Sequence, residues 1–419
     1  RLVRVLVRGS IKPIFAIGAC NLIFLPVAYL NRYQIYTGYK YIKSLKLIDL
    51  KYYASDFVSS FNSKNKLDKV ELSIDYENLT RLNCLRQGLN NCGGDWATGN
   101  LISNLDKYKI KIKAKGDRGI HRKNLKKMSF KVDIKGEKRY LGMEEFAIQQ
   151  PIIRNYTSEA LLAKLVRDNK IASPRHNYVR FYLNGEYLGI RHIEESFSKE
   201  LIEASEKRNG PVFSIDENNR PFSNKFIINS LRNFVRYELQ DFKNWKNSNQ
   251  KLANDARSVL ELTQLNPNLK NKYFDTNLWA KYFALMELLP SHHGAIPKSV
   301  KYYLNPASGL FEPAFYDGHR VSVWTDGLFI KVDDFLISDF INLTDDDLKD
   351  KKCPLRYCSA RRWFQSFFGD VENIDINFYE NYFNALKIFS SKDYESNFID
   401  KSLDELSPIR GAIYREFHK

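Results

Sequence analysis

The chain has 419 residues, a formal net charge of +16, 43% hydrophobic and 14% aromatic residues. That apolar content excludes wholesale disorder, and the length suits one large domain with additions or two domains. The cationic excess favours an anionic partner such as phosphate, acidic glycan or a lipid surface, while no arginine-rich block, zinc-finger spacing or aromatic RNA-binding signature points to nucleic acid.

Arg1, Arg4, Arg8 and Lys12 precede an uncharged apolar run over 13–30, interrupted by Pro13, Asn21 and Pro26. Spanning a bilayer takes about 20 apolar residues, and a basic flank directly before such a run favours a signal anchor over a buried core helix. No small-residue cleavage site follows it, which argues against a cleaved signal peptide. Short basic flanks stay in the cytoplasm. The expectation is a cytoplasmic basic tail over 1–12, a single transmembrane anchor over 13–31 in the inner (cytoplasmic) membrane, and an extracytoplasmic main domain. Cys84, Cys92, Cys353 and Cys358 follow the anchor. The simplest pairing joins the two close pairs as disulfides, which suits an oxidising compartment. Zinc ligation by the four lacks a CxxC or a histidine spacing.

Residues 32–64 read as a helical connector. KVELSIDY (69–76) alternates as a strand does, and a Gly- and Asn-rich loop follows over 89–100. YKIKIKAKG (108–116) and MSFKVDIKG (128–136) are strands ending at glycine, each lysine-rich on one face, either solvated or turned towards phosphate. Residues 158–170 form an amphipathic helix capped by Thr157 or Ser158. Two strands, 177–183 and 186–193, are joined by Asn184-Gly185, the strongest short hairpin signal. Residues 197–207 are helical, and 224–272 are polar and helix-prone. A buried helix over 278–289 precedes a strand over 298–304 and another over 311–317 that ends on Asp317. The chain is mainly helical from 348 onward. A strand-rich first half and a helical second half make an α+β arrangement with two lobes.

Four ordered motifs in this stretch resemble the spore-coat protein H (CotH) family of atypical kinases. They are IKAKGDRGIH with LKKMSFKVDI (112–121 and 125–134), Ile153-Arg154-Asn155, the hairpin FYLNGEYLGIRHIEES (181–196), and KYYLNPASGLFEPAFYD (301–317). Each is weak alone, and their order carries the resemblance. LGMEEFAIQQP (141–151) and its neighbours resemble a branch associated with surface polysaccharide. The resemblance implies a two-lobe, kinase-like α+β domain over 65–345, between the N-terminal transmembrane helix and a helical C-terminal region over 346–419. It also implies ATP with Mg²⁺ or Mn²⁺ as cofactors, Lys115-Gly116 at the nucleotide turn, and Asp317 as the metal ligand.

Phosphoryl transfer needs a lysine on the nucleotide phosphates, a glutamate to hold it, a metal-binding carboxylate and a base. Strand alternation puts Lys127 and Lys131 on one face, with Lys127 the favoured phosphate ligand and Lys131 the second. Glu195 orients that lysine, and Glu194, on the opposite face, does not share that role. Where active members carry an acidic catalytic residue, Ser291–Ser299 holds none, and His292 or His293 is the proton acceptor available. The leading expectation is a membrane-anchored kinase or phosphotransferase acting on a surface protein or glycan. The alternative is a pseudokinase scaffold that binds anionic polysaccharide or an envelope assembly partner. A metal-dependent hydrolase built on His292, His293, His319 and Asp317 ranks third, because adjacent strand histidines alternate faces.

Overall fold

The computed structural model describes residues 67–89, 92–116, 121, 124–215, 236–288, 291–297, 299–318, 324–325, 328–329, 337, 361–369 and 373–417. The basic tail, the apolar run, the connector, Cys353, Cys358 and His319 lie outside them. Among the described residues no helix is long and apolar enough to cross a membrane. Residues Leu67–Asp404 form one compact unit.

Within Leu67–Asp404, seven described strands close a barrel in the order β1-β2-β3-β4-β5-β7-β6. They are β1 (Lys69–Ser73), β2 (Ala97–Ser103), β3 (Asp106–Ala114), β4 (Phe130–Ile134), β5 (Glu145–Gln149), β6 (His176–Leu183) and β7 (Glu186–Glu195). The pairs are antiparallel except β1 with β6, which is parallel and closes the ring. Period-two alternation sends Val70, Leu72, Ile110, Ile112, Phe130, Val132, Phe146, Ile148, Phe181 and Ile193 into one apolar core. The lysines between them face outward.

The β6–β7 turn behaves as its Asn-Gly signal predicts. Asn184 (φ 49°) and Gly185 (φ 84°) both adopt the left-handed conformation a two-residue hairpin needs. The Asn184 side chain also accepts from Ile74 N and donates to Ile74 O, both at 2.8 Å, tying the turn to the end of β1. The β6–β7 register then shifts between Arg180 and Tyr182, opposite Gly189 at φ 89°.

One helix departs from expectation. No element is expected between the strand over 69–76 and the loop over 89–100, yet α1 (Tyr76–Gln87) forms there, with Asp75 accepting from Asn78 N and Gly88 closing it at φ 71°. Cys84 is bonded to Cys92, their Cα atoms 5.6 Å apart, so that close pair forms a disulfide.

A second sheet, ordered β11-β10-β8-β9, comprises β8 (Val212–Ile215), β9 (Tyr237–Leu239), β10 (Lys301–Leu304) and β11 (Phe311–Ala314). Its core also takes in α2 (Ser158–Asp168), α3 (Thr276–Leu288), α4 (Arg361–Phe368) and α5 (Ile376–Phe389). The α3 helix buries Trp279, Ala280 and Tyr282–Met286, leaving Lys281 exposed between them. Trp279 and Phe283 lie 5.1 and 5.2 Å from the Phe367 ring, and Phe368 lies 4.8 Å from Phe378. Aromatic burial on this scale dominates a core.

Candidate functional site

Four stretches of chain deliver charged side chains to one place on the outer face of the barrel. The β3 ladder continues past Ala114, since Lys115 N donates to Ser129 O at 2.8 Å, so Lys115 keeps the outward phase of Lys111 and Lys113. Gly116 follows at φ 83°. A Cβ there would come within 2.5 Å of the His121 ring, so the turn after Lys115 requires glycine. On β7, Glu194 pairs with Ala147 of β5 and also faces outward. Its carboxylate accepts from Lys115 Nζ at 3.1 Å and from Gln149 Nε2 at 2.8 Å.

Arg154 ends a 3-10 turn, Pro151–Arg154, that leads into α2. Asn155 (φ 48°) and Tyr156 (φ 59°) both take the left-handed conformation directly after it, an unusual pair of non-glycine residues there. The guanidinium is almost fully buried. It donates from Nη2 to both Glu194 oxygens, at 2.8 and 3.0 Å, and from Nη1 to Asp317 Oδ1. Tyr316 covers it, ring centroid 5.4 Å away.

Asp317 stands past the end of β11 at φ 56°, a conformation aspartate tolerates. Gly318 after it is packed against the Phe315 ring, leaving no room for a side chain. His293, buried in the short helical turn His292–Ala295, directs Nδ1 at the Asp317 carbonyl (2.7 Å), with Asp317 Oδ2 at 3.4 Å and Ser299 Oγ at 3.2 Å. It thereby supports the loop that carries Asp317.

Electrostatics follow from this arrangement. Burial works against the charge of Glu194, but Arg154 and Lys115 overcome it and hold the carboxyl well below the usual range. Burial likewise opposes the Lys115 ammonium, and Glu194 raises its pKa nonetheless. Glu159, in the first turn of α2, lies 3.4 Å from Arg154 Nε, yet neither of its oxygens makes a hydrogen bond. Burial pushes its pKa up to about 8, with Arg154 pulling the other way. Beyond Glu194, His192 and His176 are linked at 2.8 Å, and burial lowers the pKa of His176 to about 3.

The sequence-predicted residues divide. Lys115, Gly116, His293 and Asp317 gather here, with Lys115 and Asp317 joined through Glu194 and Arg154. Lys127 does not lie on the strand. It ends a 3-10 turn, Leu125–Lys127, held by Asn124 Oδ1 accepting from Lys127 N at 2.8 Å, and the strand begins only at Phe130. Its side chain is exposed. Lys131, on β4, is ion-paired with Glu145 at 2.7 Å. The expected contact of Glu195 with a phosphate-binding lysine does not form, because Arg175 Nε takes that carboxylate at 2.8 Å. Glu194, expected on the face opposite Glu195, is the glutamate that meets Lys115 and Arg154. The register of β5 against β7 decides between the two, and the sequence of β7 alone does not contain it. Arg154 sits in a motif the sequence singles out, but only its burial reveals its place at the centre.

A comparison with protein families matches residues 113–398 to the family described as CotH kinase protein. A comparison with curated proteins gives no match.

Proposed function

The chain belongs to the CotH kinase family over residues 113–398, and from that premise we propose that it is a kinase-like phosphotransferase whose nucleotide site is built on Lys115, Glu194 and Asp317. The observation that carries the reading is the unbroken chain of ion pairs Lys115–Glu194–Arg154–Asp317, which links a lysine at the end of a barrel strand to a carboxylate beyond a strand of the second sheet. A kinase-like centre needs that pair of groups, one for the phosphates and one for the metal.

The donor set suits a phosphate-borne divalent ion. Among the described residues no cluster of three or more His, Cys, Asp or Glu is placed to hold a metal, while Mg²⁺ takes only one or two protein carboxylates and completes its shell with phosphate oxygens and water. Asp317 supplies such a carboxylate. When bound with ATP, Mg²⁺ or Mn²⁺ would neutralise charge on the transferring phosphate. Lys115 holds the phosphates, Glu194 fixes the direction of its ammonium, and Arg154 balances both carboxylates. In this reading residues 13–31 anchor the protein in the cytoplasmic membrane, the domain works outside the cytoplasm, and the acceptor is an envelope protein or an anionic surface glycan.

A second reading, a pseudokinase scaffold, draws on two observations. Ser291–Ser299 offers no carboxylate as base, and the Asp317 carboxylate is already paired with Arg154. One set of experiments separates the two. ATP with Mn²⁺ should raise the melting temperature of the protein, and both Lys115→Ala and Asp317→Ala should abolish that rise. Transfer of label from [γ-³²P]ATP, lost in Asp317→Ala, establishes the enzyme. Absence of any shift at millimolar nucleotide overturns the nucleotide site and leaves the scaffold.

A further inference from the structure

Arg154 faces three carboxylates, of which it bonds to two. Its Nη2 donates to both oxygens of Glu194 and its Nη1 to Asp317. The Nε–H is given to Glu194 Oε2 at 3.3 Å, yet Glu159 Oε2 lies only 3.4 Å from the same nitrogen. Nε therefore stands at nearly equal distance from two carboxylates and serves one. Both Glu159 oxygens are buried without a hydrogen bond. Two phenols lie close enough to feel its charge, and both are engaged elsewhere. Tyr178 donates to Tyr156 O at 2.6 Å and Tyr282 to Gly294 O at 2.7 Å. A buried carboxyl without a donor is unfavourable, and a rearrangement that supplies one is correspondingly favoured.

The three carboxylates also differ in access. The Glu194 and Glu159 side chains are 1% exposed, whereas that of Asp317 is 21% exposed. Of the three, Asp317 is the one that a cation arriving from solution meets. When it does, the guanidinium loses that partner. A buried charge stripped of a counterion is strongly destabilised unless another replaces it. Arg154 keeps Glu194 through Nη2, so a small turn of the guanidinium carries its Nε–H to Glu159.

We propose that Arg154 is exchanged between two carboxylates. Without a metal it holds Asp317, and once Asp317 engages a phosphate-borne divalent ion Glu159 takes that place on Arg154 and releases its proton to water. The metal end of this exchange rests on the phosphotransferase reading, whereas the second carboxylate for Arg154 does not. The Arg154–Asp317 pair is then the resting form of a working site rather than a blocked one.

Two experiments on the full chain test this. Asp317→Asn withdraws the carboxylate charge without any ligand and keeps a residue that tolerates positive φ. In the parent protein near pH 7.5, Glu159→Gln should raise the melting temperature. In the Asp317→Asn background the same substitution should lower it, because Glu159 has become the counterion of Arg154. Asp317→Ala should give the same reversal by a second route. A sign that reverses in neither background overturns the exchange, whatever the nucleotide does. Titration calorimetry with Mn²⁺ and ATP examines the metal end. Glu159→Gln should weaken binding about tenfold and release fewer protons, as read from the heats in buffers of different ionisation enthalpy. Unchanged affinity with unchanged proton release uncouples Glu159 from the metal and overturns the proposal. Reversal of sign in a parent protein that binds no Mn²⁺ and ATP retires the nucleotide reading and leaves the exchange standing. Binding to the parent without reversal does the opposite.

Discussion

Glu159 is a carboxyl group with almost no contact with water and no hydrogen bond on either oxygen, set beside a guanidinium that Glu194 and Asp317 also share. Burial outweighs the attraction of Arg154, so its pKa rises to about 8 from an ordinary 4.5. A carboxyl whose pKa is raised on folding binds its proton more tightly in the native state. Its contribution to stability is therefore whole below about pH 4.5 and is lost as pH climbs through about 8. Glu194, held below the usual range, has the opposite sign, and its contribution fades only as pH falls below the ordinary carboxylate value. Between pH 5 and pH 8 the two effects separate, leaving Glu159 as the active one of the pair. Glu159→Gln mimics the protonated form at every pH. It should match the parent protein near pH 5 and exceed it near pH 8, by an amount on the order of a few kcal/mol. Melting curves at the two pH values check this, and a difference that does not grow with pH would mean that Glu159 stays ionised.

At the scale of elements, what the sequence reveals depends on whether the signal is local. The β6–β7 hairpin is legible because Asn-Gly lies between alternating runs, and the structure adds that Asn184 is pinned to Ile74. Replacing Asn184 with Ala removes two hydrogen bonds worth about 1 kcal/mol each and puts a less tolerant residue at positive φ. The cost should be about 2–4 kcal/mol. Gly185→Ala, where nothing lies within 4 Å of the new Cβ, should cost only about 1 kcal/mol. Urea denaturation should show both as lower midpoints at an unchanged slope, and equal costs would show that the Ile74 contacts contribute nothing. Helix α1 escapes a periodicity reading because its inward side is thin, Asn78 and Leu82 being its buried residues, so the apolar period that announces a helix is absent. Asp75 and Gly88, as caps, are the signal available. Lys127 reads as a strand residue because Met128 and Phe130 alternate with it correctly, and only the Asn124 cap marks the turn that precedes β4. The choice between Glu194 and Glu195 is beyond any such reading, since alternation puts the two on opposite faces but does not say which face meets Lys115 and Arg154.

Across the whole described unit, the ordered motifs mark out the family, whereas nothing in them announces that β1 closes a barrel against β6. That pairing joins segments more than a hundred residues apart in sequence. The same distance in sequence hides how the barrel and the second sheet are coupled. Their apolar cores are separate clusters, one inside the barrel and one around α3, so a link between them has to come from contacts outside either core. Arg154 makes such a link, reaching Glu194 on barrel strand β7 and Asp317 beyond β11 of the second sheet. Removing one partner of a buried ion pair typically costs about 3–5 kcal/mol, because the remaining charges are left buried and uncompensated. In Arg154→Met, Glu194 and Asp317 lose their common counterion, and relief comes most readily by letting water in between barrel and sheet. Calorimetry should then resolve two unfolding transitions where the parent protein shows one. Arg154→Lys, which keeps the charge and loses the two-handed grip, should keep one transition at a lower temperature. A single displaced transition in Arg154→Met would mean that packing, not this guanidinium, makes the two cores unfold together.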